Sequence, residues 1–160
     1  MKLAITGSGG FVGKRFMEYN KGRYQLINVS LRSADPSDID LQEAESILHL
    51  AGKAHDMHAK DERVYYEVNY ELTKMLADEA RKQGVPHFIY VSSVKVYGEE
   101  QNGILNESSP CHPLDAYGKS KLQAETYLRS IESDQFKVAI VRPPLVYGPG
   151  VKGNMIRLHA

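Results

Sequence analysis

Eight residues, Thr6-Gly7-Ser8-Gly9-Gly10-Phe11-Val12-Gly13, follow directly on the apolar run Lys2-Leu3-Ala4-Ile5 and constrain the fold more than any other stretch. An apolar run this short, stopped by glycine, predicts a buried strand over residues 2–6. Phe11 onward predicts a helix to about residue 21. A strand that turns into a helix through glycines three apart uses each glycine differently. Gly7 permits the tight turn, Gly10 lets backbone N–H groups approach an anion, and Gly13 lets helix and strand pack closely. The start of such a helix carries unpaired N–H groups and the positive end of the helix dipole, so a pyrophosphate suits it. The motif alone is weak evidence, because glycine turns after strands are common. Its place after a first strand, at the head of a βα repeat, strengthens it.

The rest of the chain continues that repeat. Residues 25–31 predict a second strand, with a turn at Ser33-Ala34-Asp35-Pro36-Ser37. Residues 46–51 predict a buried strand that ends at Gly52. Val68, Leu72, Met75, Leu76 and Ala80 keep helical spacing within a helix over 64–83, closed by Gly84 and Pro86. A strand over 87–92, a long loop over 98–116, a helix over 117–131 and a last strand over 137–141 complete the order. Strand alternating with helix predicts an α/β fold, a doubly wound parallel sheet, with ligand at the carboxyl ends of the strands.

Within that order Tyr117-Gly118-Lys119-Ser120-Lys121 places a tyrosine and a lysine four residues apart on one helix face. A phenol with pKa near 10 is a poor base at neutral pH. An ammonium one turn away favours the phenolate, which would let Tyr117 shuttle a proton while a cofactor moves hydride. On many helices the same spacing is solvated surface, and it gains meaning here from the glycine loop before it.

Composition excludes other classes. Lys+Arg and Asp+Glu are both 20 in 160 residues, so net charge is zero and nothing points to nucleic acid. No apolar run reaches the roughly 18 residues of a membrane span. Met1 runs straight into the first strand with no room for a signal peptide, and the single cysteine, Cys111, fits a reducing cytoplasm. His49, His55, Asp56 and His58 resemble a metal cluster, but no cysteine pair accompanies them, and the expectation is no metal.

Taken together, Thr6–Gly13, His49-Leu50-Ala51-Gly52, Asn69, Val91-Ser92-Ser93-Val94-Lys95-Val96-Tyr97-Gly98, Glu107 with Pro110 and Pro113, Tyr117–Lys121 and the block from Arg142 to Pro149 form seven ordered pieces. In them the chain resembles the extended short-chain dehydrogenases/reductases of the NAD-dependent nucleotide-sugar epimerase/dehydratase type, over nearly its whole length. The resemblance implies a Rossmann-like fold with Ser93, Tyr117 and Lys121 as catalytic residues. Ser93 would hydrogen-bond the reacting sugar oxygen, with Ser92 the adjacent alternative; a plain capping serine is the competing reading. Lys121 would also clamp the nicotinamide ribose. The implied cofactor set is Gly7, Gly10, Phe11, Val12, Gly13, Ser30, Arg32, Leu50, Ala51, Gly52, Asn69, Tyr117, Lys121 and Pro144. Within it Asn69 would help hold the backbone of the catalytic strand, and Pro144 would pack near the nicotinamide. His55 and Asp56 are open to substrate or ribose contact, and Lys53 and Lys95 to a phosphate.

Three features depart from that pattern. Where NAD-preferring members carry an acidic residue after the second strand, this chain has Ser30 with Arg32 beyond it, so NADP is favoured over NAD. The span from Ser30 to Ala51 is too short for the usual extra βα unit; the third strand should be tiny or absent, with Ile39 or Asp40 taking over the adenine contact. Leu145 stands where family epimerases often have an asparagine that touches the diphosphate.

The resemblance implies an NDP-hexose 4-ketoreductase or 4-epimerase that serves polysaccharide sugar synthesis, acting as a homodimer through the helices over 64–83 and 117–131. Val94 and Lys95 argue against a dehydratase, which pairs acidic residues after the active-site Ser/Thr. The alternatives are a non-sugar ketone reductase or a non-catalytic NAD(P)-binding module. Relatives are about twice as long, so residues 1–150 read as the dinucleotide-binding domain and 151–160 as the start of a truncated substrate domain. The 160 residues alone are expected to be inactive.

Overall fold

A computed structural model describes residues 1–32, 35, 38–54, 61–99 and 103–149. Five strands alternate with helices: β1 (Lys2–Thr6), α1 (Phe11–Tyr19), β2 (Gln25–Val29), β3 (Ser46–His49), α2 (Arg63–Tyr66), α3 (Leu72–Lys82), β4 (His87–Val91), α4 (Ala116–Ser130) and β5 (Lys137–Val141). All pair in parallel, in the order β2-β1-β3-β4-β5. The order reverses at β1, whose two neighbours are β2 and β3, and β1 is the strand that feeds the glycine loop.

Each face of the sheet has its own core. On one, Ala4, Ile47, Phe88 and Tyr90 meet Leu76, Ala77 and Ala80 of α3 and Ala124 and Leu128 of α4. On the other, Leu3, Ile5 and Leu48 meet Phe16 and Met17 of α1. The apolar faces of α3 and α4 are thus spent on the sheet. β2 pairs with β1 alone and forms one edge. The shortened connection after it sends Leu31, Ile39, Leu41 and Ala44 into the larger core. Gln83, just past α3, pins it: its Nε2 donates to the Ile39 carbonyl and its Oε1 accepts from Leu41 N–H, both at 2.6 Å.

The helix expected over 64–83 is interrupted. Between α2 and α3, residues Glu67–Glu71 form a π-turn. The wider turn leaves the Asn69 carbonyl to accept from the Thr73 hydroxyl (2.8 Å) and the Tyr90 hydroxyl (3.3 Å). Periodicity gives no sign of this, because the apolar positions on either side keep their spacing. No helix among the described residues is long and apolar enough to cross a membrane.

Candidate active site

The glycine loop fits its expected part. Gly7 has φ +68°, and a Cβ there would come within 2.6 Å of Ala51 N. At Gly13 a Cβ would meet the Gly7 carbonyl at 2.3 Å, so loop and helix interlock as closely as backbone allows. Gly10 caps α1 without a side-chain hydrogen bond. A side chain at position 7 or 13 would push apart the backbone that forms the loop, and the residues present fit a bound dinucleotide. The segment after β5 returns to this place: Gly148 lies against Phe11, and the Pro149 carbonyl accepts from Arg15 (2.9 Å). Phe11 and Ala51 are half-buried, Leu50 likewise, while Val12, Gly52 and Pro144 are exposed.

Ser93 leaves β4 in extended conformation and caps a 3-10 turn, Val94–Tyr97, by accepting from Lys95 N–H (3.2 Å). Capping does not consume it, for its hydroxyl is near enough to the Tyr117 phenol to act on that group's pKa. Ser92, the adjacent alternative, has its hydroxyl enclosed and, among the described residues, unpartnered. Asp115 starts α4 by accepting from Gly118 N–H (2.6 Å). Gly118 lets α4 close on the 3-10 turn: a Cβ there would be 2.7 Å from the Lys95 carbonyl. Tyr117 therefore stands at the carboxyl end of β4, beside Ser93. One turn later, Lys121 is 4% exposed. Its Nζ donates to the Val91 carbonyl (3.0 Å) and lies 4.8 Å from the Tyr90 ring centre.

Burial dominates the electrostatics. It pushes the Tyr117 phenol up from its ordinary pKa, while the Ser93 hydrogen bond pulls it down. Of the charges around it, Asp115 raises the phenol's pKa and Lys95 lowers it, while the Lys121 ammonium is turned to Val91 and Tyr90. Burial also brings Lys121 down to about 8, with Glu125 acting in the opposite sense. His49 is brought down to about 3, by burial first and by the Lys121 charge second.

His49 is therefore a neutral link. Thr73 spends its proton on the Asn69 carbonyl, so it accepts from His49 Nε2–H (2.9 Å). Thr6 Oγ1 accepts from Ala51 N–H (3.2 Å) and donates to His49 Nδ1 (2.6 Å). This chain ties the glycine-loop strand to the π-turn and removes His49 from any metal site. His55, Asp56 and His58 lie outside the described residues, as do 151–160.

Other expected residues fall in varied places. Asn69 is fully buried and does not grip the catalytic strand with its side chain. Its Oδ1 accepts from Lys53 N–H (2.8 Å), and its Nδ2 donates to the Lys53 carbonyl (3.2 Å) and to Ser120 Oγ (3.1 Å). It clamps the loop after β3 to α4, and only its backbone carbonyl reaches β4, through Tyr90. Ile39 and Asp40 are not near the glycine loop. Gln83 holds that segment beyond the C-terminal end of α3, at the opposite end of the sheet, so neither can take the adenine. Ser30 and Arg32 are exposed beyond β2, Ser30 Oγ accepting from Arg32 N–H at 3.4 Å. Lys95 is engaged by Glu99 (2.6 Å) and Asp115 (3.6 Å). Leu145 is 61% exposed.

A glycine-loop strand at the point where strand order reverses, with a Ser–Tyr pair and a buried lysine at the same sheet end, matches a known family. The model of the NAD dependent epimerase/dehydratase family matches residues 3–159. The chain belongs to that family. It is 34% identical, over 98% of its length, to a UDP-glucose 4-epimerase of Vibrio cholerae, of which it covers 55%. A mouse dTDP-D-glucose 4,6-dehydratase is 36% identical over 81% of the chain and 38% of that protein. Among solved structures, a UDP-glucuronic acid 4-epimerase from Bacillus cereus in complex with NAD superposes with TM-score 0.79 at 25% identity, over 93% of this chain and 58% of that one.

Glu125 escaped the sequence reading, and Arg142 entered it only as the head of a matching block. Glu125 is 1% exposed, and Arg142 donates to both its oxygens, from Nε (3.1 Å each) and from NH2 (2.6 Å). Arg142 also donates to the Tyr97 hydroxyl (2.8 Å) and the Glu107 carbonyl (3.4 Å). The available signal was spacing: Glu125 is four residues past Lys121, on a helix face otherwise given to Ala124 and Leu128.

Proposed function

We propose that this chain is the cofactor-binding half of an enzyme that moves hydride at C4 of an NDP-hexose, as a 4-ketoreductase or a 4-epimerase. The observation that carries this is the placing of Ser93 and Tyr117 side by side at the sheet end that holds the glycine loop. A nicotinamide cofactor, when bound, supplies or takes the hydride. Gly7, Gly10 and Gly13 would seat its pyrophosphate, with Leu50, Ala51 and Gly52 beside it. Tyr117 holds and moves the proton of the reacting sugar oxygen, and Ser93, able to donate and accept, bonds that oxygen as either alcohol or ketone. Lys121 supplies a cation beneath them. Residues 1–150 form this half, and sugar selection belongs to length that the relatives have beyond the part matched here.

Ser30 and Arg32, exposed beyond β2 where NAD-preferring members carry an acidic residue, favour NADP, and through it the ketoreductase. Val94 and Lys95 after Ser93 disfavour the dehydratase chemistry of one relative, since neither can serve as its acid. A second copy is proposed to dock on the outer groove of Tyr70, Pro113, Leu122 and Tyr127, which the sheet does not cover; mass in solution tests it. The intact protein, assayed with 4-keto-6-deoxy and UDP-hexoses, decides the reaction. Stoichiometric NADPH oxidation supports the ketoreductase, and turnover with no net cofactor loss supports the epimerase. Turnover of non-sugar ketones alone, or no turnover of any nucleotide sugar supplied, overturns the proposal.

A further inference from the structure

α2 and the π-turn after it touch Tyr117 at two points. At its backbone, the Tyr117 carbonyl accepts from Ser120 Oγ (2.8 Å), and that hydroxyl in turn accepts from Asn69 Nδ2 of the π-turn (3.1 Å). Asn69 and Ser120 are both fully buried. At its side chain, Tyr117 meets Tyr65 of α2, with ring centres 6.0 Å apart and ring planes at 67°. This is an edge-to-face contact, in which the positive ring edge of one aromatic meets the negative face of the other. Tyr65 is 4% exposed, so close packing sets its own ring.

The π-turn lets one segment reach both points. Its hydrogen bonds close five residues on instead of four, so it carries one residue more than an α-turn. That extra residue rotates the helix before it by about 100° relative to the helix after it. In a continuous α-helix Tyr65 would fall within about 20° of Leu76 and share its face toward the sheet. Instead Leu76, Ala77 and Ala80 of α3 pack on the sheet, and Tyr65 turns to the first turn of α4. We infer that Tyr65 is a positioning residue, whose ring, swung onto α4 by the π-turn, keeps the Tyr117 side chain in the single rotamer that stands it beside Ser93. The Ser120 bond fixes the Tyr117 backbone but does not reach χ1, which has more than one staggered well. The ring contact selects among those wells. A proton-transfer group displaced by about 1 Å costs on the order of a hundredfold in rate.

The inference rests on Tyr117 as the proton-transfer group, and its test separates the two. Without substrate, the 160-residue chain labelled with 13C and 15N reports Tyr117 χ1 through three-bond couplings to the first ring carbon. Wild type and Tyr65→Phe, which keeps the ring, should show one rotamer. Tyr65→Met, which fills core space without a ring, should average over at least two. Tyr65→Leu is a second ring-free variant and should match it. The intact protein is then assayed with NADPH and dTDP-4-keto-6-deoxyglucose, and with NAD+ and UDP-glucose. The ring-free variants should lower kcat about ten- to a hundredfold while KM stays within about twofold. Tyr65→Phe should restore kcat to within about twofold of wild type. A residue that only filled the core would lower stability without splitting kcat from KM. Full turnover in Tyr117→Phe counts against the reading of Tyr117 alone, and the couplings still decide the hold. A single Tyr117 rotamer in the folded ring-free variants, an averaged one in wild type, or a kcat that falls equally in Tyr65→Phe overturns the inference.

Discussion

Lys121 meets two opposed demands, since burial favours the neutral amine while proton chemistry beside Tyr117 calls for the cation. Its pKa in the fold, about 8, lies below the ordinary 10.5, so the unfolded chain holds more protons between those values and stability rises with pH there. Lys121→Met should therefore stabilise the fold at pH 7 by about 1–3 kcal/mol in urea denaturation, while costing the intact protein at least about a hundredfold in turnover. His49 works in a lower window. Its folded pKa, about 3, lies under the ordinary 6.5, so stability is intact above 6.5 and falls as pH drops toward 3. Denaturation midpoints over that window should fall less steeply in His49→Gln, by up to about 1.4 kcal/mol per pH unit. Spacing was enough to reveal Tyr117 and Lys121 in the sequence. That Lys121 faces Val91 and Tyr90 depends on β4 lying across α4, which no local pattern encodes.

At the scale of elements, the π-turn and the shortened β2–β3 connection are the two departures from a plain βα repeat. Asn69 converts the first into a clamp on Lys53 and Ser120. Asn69→Ala removes three hydrogen bonds to Lys53 and Ser120 and should cost about 1–3 kcal/mol, with faster hydrogen exchange at Lys53 N–H. Gln83 is the clamp on the second. Gln83→Ala should cost a similar amount, about 1–3 kcal/mol, and raise exchange at Leu41 N–H while leaving the glycine loop protected. The missing βα unit was legible from chain length between Ser30 and Ala51, because length bounds what can fold there. The place of its replacement was not. Leu41 reads as one more apolar residue in a turn-rich segment until the end of α3 supplies Gln83, which is why Ile39 and Asp40 were assigned to the wrong end of the sheet.

At the scale of the whole molecule, the parts at the carboxyl ends of β1, β3 and β4 should act as one dinucleotide site. Alternation of strand and helix made the parallel sheet readable, and the reversal of strand order at β1 puts the glycine loop where such sheets bind ligands. The site is defined by backbone approach at Gly7 and Gly13 as much as by side chains, so it can be tested amide by amide. Titrating the 15N-labelled chain with NADP+ and with NAD+ should shift Gly7, Gly10, Gly13, Ala51, Gly52 and Tyr117 together, with NADP+ tighter and with Arg32→Ala reducing its advantage. Absence of shifts with either dinucleotide, or shifts confined to other surfaces, would contradict it.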